Sequence, residues 1–599
     1  MAAKRDSVIT VAIELGASLG ALQGATHRES LEHRLSSKLG ELLERVGLVG
    51  DPAIEVQSES SARALKVRVH GVLQPYSPEL MKRVWQAVAP EPLRSLPEAA
   101  SSRRDTGFPD AWLKQYVSGV QSSYQADWAL TLEYVTELAF EIIRQHPSCL
   151  VGPAQVAAYL DEAPPLVKPQ PSLSPETLSP VLKSLLHWGV RINDKHELLQ
   201  EVRNVLALGR PVGEAIEAVF ARLRSNRIEI HVHPQYVDAL LEGEPPHEPQ
   251  SVYLRGNTKN TAEPFRVAEE ALFYELGLVL PDVVWLPSAE TSEGMIAIKV
   301  NDQLQAAQPG LKTGEVLVNA PLDQLKVLGV QGRSYTHPVN GSECAVVAET
   351  HRNAAENAGF RVWSPIEFVA LALYGEVSRL AECLLSIEDV EGQLAELDSS
   401  FPELTRAAAR FSLEDLTRVL RGLLTEKISI RNLRGILEQL LCYDTIRIDS
   451  RGYIVMDDRL PTPEDATRPV TSSWLNYREF VRMGLKDLLM AKYTHGRDTL
   501  VACLVAPEIE ARAEAMLTSP GTDDSEIAFD EALQESLCDF AWKALGSARP
   551  AAPGVVILTG ASARAGIREI LAPELPDLAV ISYSELRPGL NIQPVAKLG

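Results

Sequence analysis

No run of apolar residues approaches the roughly 18 needed to cross a bilayer, and Met1-Ala-Ala-Lys-Arg-Asp opens a polar-punctuated stretch without a signal-peptide core. A soluble chain is expected, with any membrane contact left to an amphipathic segment or a partner. Cysteine is scarce: the six (149, 344, 383, 442, 503 and 538) lie far apart with no Cys-x-x-Cys pair. That excludes a disulfide framework and a zinc ribbon and fits a reducing cytoplasm. Basic residues are also short, 58 Lys+Arg against 80 Asp+Glu, a net charge of −22 with no local basic patch. Such a surface repels a phosphate backbone, so nucleic acid is not an expected partner. The chain has no GxxxxGK[ST] loop, no HExxH and no GxSxG elbow. Phosphoryl transfer, zinc proteolysis and α/β-hydrolase chemistry each lack their minimal parts. No catalytic residue, cofactor or metal is expected, and the chain reads as a non-enzyme.

What is present is an ordinary globular composition, 45% hydrophobic and 23% charged over 599 residues, long enough for several cores. Proline-rich and polar stretches near 87–107, 161–175, 241–264, 457–474 and 546–554 mark candidate boundaries. Between them the pattern is mixed α and β. Leu65-Lys-Val-Arg-Val69 and Ile296-Ala-Ile-Lys-Val300 alternate as half-buried strands, and 411–441 has helical spacing. Trp112, Trp128, Trp188, Trp285 and Trp363 read as core anchors rather than base-stacking platforms.

The chain also resembles itself. A shift of 238 positions lays Ser174-Pro-Glu-Thr-Leu-Ser-Pro-Val-Leu-Lys-Ser-Leu-Leu186 on Ser412-Leu-Glu-Asp-Leu-Thr-Arg-Val-Leu-Arg-Gly-Leu-Leu424 and keeps every apolar position from Leu178 onward. The register continues through Val190/Ile428, Ile192/Ile430, Leu198/Ile436 and Leu199/Leu437. A shift near 230 pairs Gly47-Leu-Val with Gly277-Leu-Val, and one of 231 pairs Val67 and Val69 with Ile298 and Val300. A tandem duplication is expected. Each Ser-x-Glu start suits a capped helix, because the serine oxygen accepts from an orphan amide and the acid favours the positive helix end.

Two constellations invite chemistry. His231 and His233 lie at i and i+2 on a strand, on one face, but two ligands are too few for a metal site, and histidines facing solvent are expected. Val555-Val-Ile-Leu-Thr-Gly-Ala-Ser-Ala-Arg-Ala-Gly566 is strand, glycine turn and helix, the outline of a phosphate cradle. Arg564 stands where a dinucleotide loop needs glycine, so no nucleotide is expected.

Glu426-Lys-Ile-Ser-Ile-Arg-Asn-Leu-Arg-Gly-Ile-Leu-Glu438, Ala268-Glu-Glu-Ala-Leu-Phe-Tyr-Glu-Leu-Gly-Leu-Val-Leu-Pro281 and Ile581-Ser-Tyr-Ser-Glu-Leu-Arg-Pro-Gly-Leu-Asn-Ile-Gln-Pro594 stand in that family's order when set beside the FHIPEP family, whose cytoplasmic region they resemble. That family is the large export-gate subunit of flagellar and virulence type III secretion machines. The resemblance spans about 265–599. A weaker likeness runs from Ile13-Glu-Leu-Gly16 through the helices at 174–202, and 227–240 looks like the strand and short helix that open the family's last subdomain. The family's multi-helix membrane half is not seen.

The resemblance implies a mixed α/β fold in two tandem copies built of small subdomains. The first, truncated, covers 1–245, the connection 246–264, and the second, nearly complete, 265–599. It also implies a partner dock. In the flagellar branch an Asp-Pro-x-Phe-Gly turn and a threonine on the next helix receive export chaperones with their substrates. Here His337-Pro-Val-Asn340-Gly341 occupies that turn and Leu371 the threonine's place, whereas Asp105, Phe108 and Thr136 keep the pattern in the first copy. Docking is therefore expected in the first copy, with Phe108 as anchor; the alternative is that Asp105 caps a turn and Phe108 fills a core. Expected partners are export chaperone–substrate complexes, other apparatus subunits and further copies of the chain in a ring. The expected place is the cytoplasm, with peripheral contact at the inner membrane face. A diverged adaptor outside secretion and a soluble enzyme of unknown chemistry are the competing readings.

Overall fold

The computed structural model describes residues 7–16, 19, 22, 24–58, 65–89, 128–161, 173–234, 252–253, 259–288, 291–292, 294–443, 446–448, 454–456, 474–518, 531–548 and 554–598. The architecture is mixed α/β, with several small sheets interleaved with helices. Packing divides it into two compact units, one closing at Leu384 and the other starting at Leu385.

In the first unit, strand Val8–Leu15 buries Ile9, Val11, Ile13 and Leu15 on one face, as period-two alternation dictates. It pairs in parallel with Asp51–Ser58 and antiparallel with Leu65–Val69, which turns through His70-Gly71 into Val72–Gln74. Both turn residues have positive φ, 51° and 81°, the two-residue turn whose twist matches its strands. Helix Ala25–Val46 links the parallel strands, buries Leu31, Leu35, Leu39, Leu42 and Leu43, and ends at Gly47.

The next sheet follows the same plan. Arg227–Val232 pairs in parallel with Asp282–Pro287 and antiparallel with Met295–Val300, which turns through Asn301-Asp302 into Gln303–Leu304. Asn301 has φ 53°, and the linking helix Lys259–Leu276 ends at Gly277 with φ 80°. This corrects the expectation for 227–240: Arg227–Val232 does not open a last subdomain but is an inner strand of this sheet. Its Ile228, Ile230 and Val232 are fully buried, with a partner strand on each side. Within 246–264, Val252–Tyr253 pairs antiparallel with Asp282–Pro287 and the helix starts at Lys259; the rest of that segment lies outside the described residues. Packing thus divides the chain at Leu384/Leu385 and not at the segment between the stretches 1–245 and 265–599, since this sheet draws strands from both.

Helices follow each sheet. Trp128–Gln145, Pro175–His187 and Lys195–Ala207 come after the first, and Pro365–Arg379, Leu413–Thr425 and Leu433–Cys442 after the second. The expected serine caps form: Ser174 Oγ accepts from the Thr177 amide at 3.2 Å and Ser412 Oγ from the Asp415 amide at 3.0 Å. Asp194 and Asn432 cap the following helices in the same manner, at 3.0 and 3.1 Å. In chain order, a further antiparallel sheet of Glu315–Val318, Gly332–Thr336, Glu343–Ala348 and Val362–Trp363 comes after the second sheet and before Pro365–Arg379. Its own small core includes Val316, Val318, Leu325, Val330, Ala345 and Val347.

The second unit closes on a parallel sheet of Val580–Ser582, Val556–Thr559, Thr499–Val505 and Asn591–Leu598, crossed by helices Pro507–Thr518, Glu531–Ala548 and Ala561–Leu571. Its interior holds ions. Arg482 and Arg564, each 1% exposed, share Glu426 at 2.9 Å; Arg482 also meets Glu585 at 2.6 Å, and Arg564 meets Glu479. Burial alone would push the Glu426 carboxyl up, but the two guanidiniums outweigh it and hold it well below the usual carboxylate range. Glu426 begins the sequence signature 426–438 and follows helix Leu413–Thr425, so the signature marks an electrostatic joint between that helix, Trp474–Gly484 and the terminal sheet.

Removing one member of such a cluster strands the others in a dry site. Glu426→Ala should therefore destabilise the second unit by about 3–5 kcal/mol, read as a lowered Tm in calorimetry. An unchanged Tm would show the cluster to be hydrated.

In the first unit His146 is half-buried beside His187 and Arg379, and that burial, then those charges, lower its pKa from 6.5 to about 4. A folded value below the unfolded one means that stability is full above pH 6.5 and falls as pH drops toward 4. Over that gap, at about 1.4 kcal/mol per pH unit, the loss is about 3 kcal/mol. His146→Gln should flatten the Tm-versus-pH curve between pH 6.5 and 4, and an unaltered slope would assign that acid sensitivity elsewhere.

Candidate functional site

The best-defined surface among the sequence candidates lies where the turn after Gly332–Thr336 meets helix Pro365–Arg379. The turn is self-contained. The His337 amide donates to Ser342 O at 2.8 Å, and Gly341, with φ 67°, donates back to His337 O at 3.0 Å. Asn340, exposed, accepts from the Ser342 amide at 3.0 Å and the Ser342 hydroxyl at 2.8 Å. His337 is buried: Nδ1 accepts from the Val339 amide at 3.2 Å and the ring lies edge-on to Trp363. Burial, then nearby Arg361, lower its pKa and keep the imidazole neutral at pH 7.

The helix begins with a capping box between Ser364 and Glu367. It touches the turn at Gly375, where a Cβ would lie 2.6 Å from Pro338 O. Half-buried Leu371 stands one helical turn before Gly375 and so on the same side of the helix. The structure thus brings His337, Asn340 and Leu371 to neighbouring elements. Below them Phe368 packs edge-on to Tyr335, whose hydroxyl donates to Pro309 O at 2.7 Å.

Sequence reasoning missed the ions at this junction. Glu376, 2% exposed, pairs with Arg83 of helix Pro78–Val88 and with Arg379 at 2.7 Å; Arg379 also donates to Gln305 at 2.6 Å. Burial would raise the Glu376 pKa, but Arg83 and Arg379 outweigh it and hold it at about 2. Lys82, next to Arg83, donates to the Thr336 hydroxyl just before the turn. The Ser77 hydroxyl caps Pro78–Val88 by accepting from the Leu80 amide; nothing in local sequence says what the helix's polar side meets.

The other candidates resolve differently. Asp105 and Phe108 lie outside the described residues. Thr136 is 2% exposed, and its hydroxyl donates to Leu132 O at 2.7 Å, so it offers a partner no surface, contrary to the expectation. A buried threonine in a helix commonly spends its hydroxyl on the preceding turn in this way. His231 bonds the buried Glu229 at 3.0 Å, and Glu229 sits opposite Lys299, 3.1 Å away, so the ring serves a charge pair between strands. Among the described residues no three His, Cys, Asp or Glu side chains are placed to hold a metal.

At the glycine turn, one Glu510 oxygen accepts from the Gly560 amide and the Thr559 hydroxyl, both at 2.7 Å, filling the position a phosphate would take. Gly566 serves packing instead, since a Cβ there would lie 2.6 Å from Ala513 O.

The contact between Gly375 and Pro338 makes a direct prediction. Gly375→Ala should lower stability by about 1–2 kcal/mol despite the better helix former, because the clash outweighs a propensity gain of about 1 kcal/mol. A raised Tm would show that the turn yields freely.

Among the described residues no helix is long and apolar enough to cross a membrane. Compared with known proteins, the chain is 25% identical over 331 residues to the Low calcium response locus protein D of Yersinia pestis, covering 55% of this chain and 43% of that protein. It is 23% identical over 334 residues to the flagellar biosynthesis protein FlhA of Bacillus subtilis, covering 54% and 44%. The chain thus spans less than half the length of these relatives. The solved structure of the Chlamydia pneumoniae CdsV protein aligns with a TM-score of 0.48 and 22% identity, over 62% of this chain and 97% of that one. The model of the FHIPEP family matches residues 254–591, more than half of the sequence and inclusive of the turn, the helix and the 426–438 signature, and the chain belongs to the FHIPEP family.

Proposed function

We propose that this chain is a component of a type III protein secretion apparatus and that it binds export chaperone–substrate complexes or other apparatus subunits through the face that Asn340 and Leu371 present beside the buried His337. The observation that carries the reading is the family match over 254–591, which includes that face. The relatives' names, flagellar biosynthesis in one case and the low calcium response in another, belong to those proteins and agree with a role in export. The chain acts by binding and not by catalysis, on the cytoplasmic side of the membrane, and assembles with further copies of itself in a ring.

We further propose that the chain is a tandem duplication. Two sheets of like topology, helix caps 238 residues apart, and hairpin turns with positive φ at both His70 and Asn301 support it. On this reading the second copy starts with the strand Arg227–Val232. A first-copy dock at Asp105 and Phe108 is the second reading; the buried hydroxyl of Thr136 counts against it.

Deleting the gene in its host and measuring type III cargo in the medium tests the role, and Leu371→Glu with Asn340→Ala tests the face. Deletion should abolish secretion, and the double variant, at normal protein level, should lower it at least about 10-fold. Undiminished secretion on deletion rejects the role; secretion by the double variant at the normal rate rejects the face.

A further inference from the structure

Helix Pro78–Val88 has two occupied sides. Its apolar side, with Leu80, Met81, Val84 and Trp85 buried, packs on helix Trp128–Gln145, where Trp85 meets Tyr134 edge-on at 5.4 Å. Glu79, Lys82 and Arg83, at i, i+3 and i+4, share the other side. Lys82 reaches Thr336 and Arg83 reaches Glu376. Thr336 immediately precedes His337, and Glu376 immediately follows Gly375, the residue in contact with Pro338. The two cations therefore hold the elements that carry the candidate face, one at the end of the strand that enters the turn and one on the helix.

The second sheet has no such helix in the corresponding place. After Gln303–Leu304 the chain runs to Gln308–Pro309, which pairs with Met295–Val300, and on to Glu315–Val318. The helix is an addition to the amino-terminal stretch, and its polar side is spent on the carboxy-terminal one.

We propose that helix Pro78–Val88 is a resident, intrachain clamp beneath the face of Asn340 and Leu371, fixing Thr336 at the entry to the turn and Glu376 on helix Pro365–Arg379. Its hold is one ion pair, Arg83 on Glu376, and one hydrogen bond, Lys82 to Thr336, so a partner that takes its place displaces both and supplies its own cation to Glu376. The consequence for partners rests on the function proposed above; the clamp does not. The kind of partner that fits is a helix carrying a guanidinium beside apolar side chains, because such a group replaces Arg83 on a buried carboxylate that otherwise keeps Arg379 alone, at 2.7 Å.

Hydrogen exchange on the full chain reads the clamp without any partner. The triple variant Lys82→Met, Arg83→Met, Glu376→Gln removes the grip without leaving a buried charge alone, since Arg379, which loses Glu376, is a third exposed and keeps Gln305. The amides of His337 and Gly341, hydrogen-bonded within the turn, should then exchange at least about 10-fold faster. The amides of Val8–Leu15 and Met295–Val300 should keep their rates, and Arg83→Lys alone should stay within about threefold of the wild type. No change at His337 and Gly341 would overturn the proposal. So would an equal acceleration through all of these strands, because the contact would then be general core and not a clamp. The secretion assay is a separate readout, so its failure would reject the export role and leave this result standing.

Discussion

The ladder of Arg227–Val232 constrains much of the first unit. It is parallel to Asp282–Pro287 on one edge and antiparallel to Met295–Val300 on the other. Only three residues separate it from helix Val212–Leu223. A strand with both edges paired and Ile228, Ile230 and Val232 buried cannot leave without exposing two rows of backbone donors and acceptors. The helices that precede it are thereby tied to the sheet that follows. Further cross-links hold at the Met295–Val300 hairpin: Asn301 donates to Trp188 O and Cys383 O at 2.8 and 2.9 Å, and Gln303 donates to Arg144 O and Gln145 O at 3.2 and 3.0 Å. The ladder, and not the spacing of the sequence repeat, decides how the first unit packs.

Both units place charge where apolar side chains would pack more cheaply. Arg482, Arg564 and Glu426 lie in the second unit, and Arg83 with Glu376 in the first. The desolvation of such ions offsets most of their attraction, so their net contribution to stability is small. Their mutual dependence is large, because losing either partner strands the other. Each cluster joins elements far apart in the chain, Glu426 to Arg564 or Arg83 to Glu376, and a wrong register would leave an ion unmatched. Charge here specifies geometry more than it adds stability.

Local chemistry was legible in the sequence, and distant pairing was not. Ser174 and Ser412 were readable as caps because a cap needs only the next three residues. The strands around Leu65–Val69 and Met295–Val300 were readable from alternation. The helical stretch 411–441 breaks in two because Lys427 takes φ 55°, which no spacing of apolar residues announces. The neighbours of Arg227–Val232 and the pairing of Arg83 with Glu376 depend on contacts between residues far apart in the chain, and composition carries no trace of them. Of the candidate face, the turn and Leu371 came from resemblance to a family motif. The buried hydroxyl of Thr136 and the contact of Gly375 with Pro338 required coordinates.

The polar character of the contact between Pro78–Val88 and the turn matters for what the contact can do. An apolar contact of that size would fuse the two elements, since the hydrophobic effect has no geometry to be outcompeted. A guanidinium on a carboxylate can be exchanged for another guanidinium with little net change in electrostatic energy, provided the newcomer arrives in register. The net charge of −22 draws cationic partners toward the chain before contact. The deep burial of Glu376 then discriminates among them, because a partner that displaces Arg83 without supplying a cation leaves the carboxylate to Arg379 alone. Selectivity at such a face comes from the cost of a wrong partner as much as from the attraction of a right one.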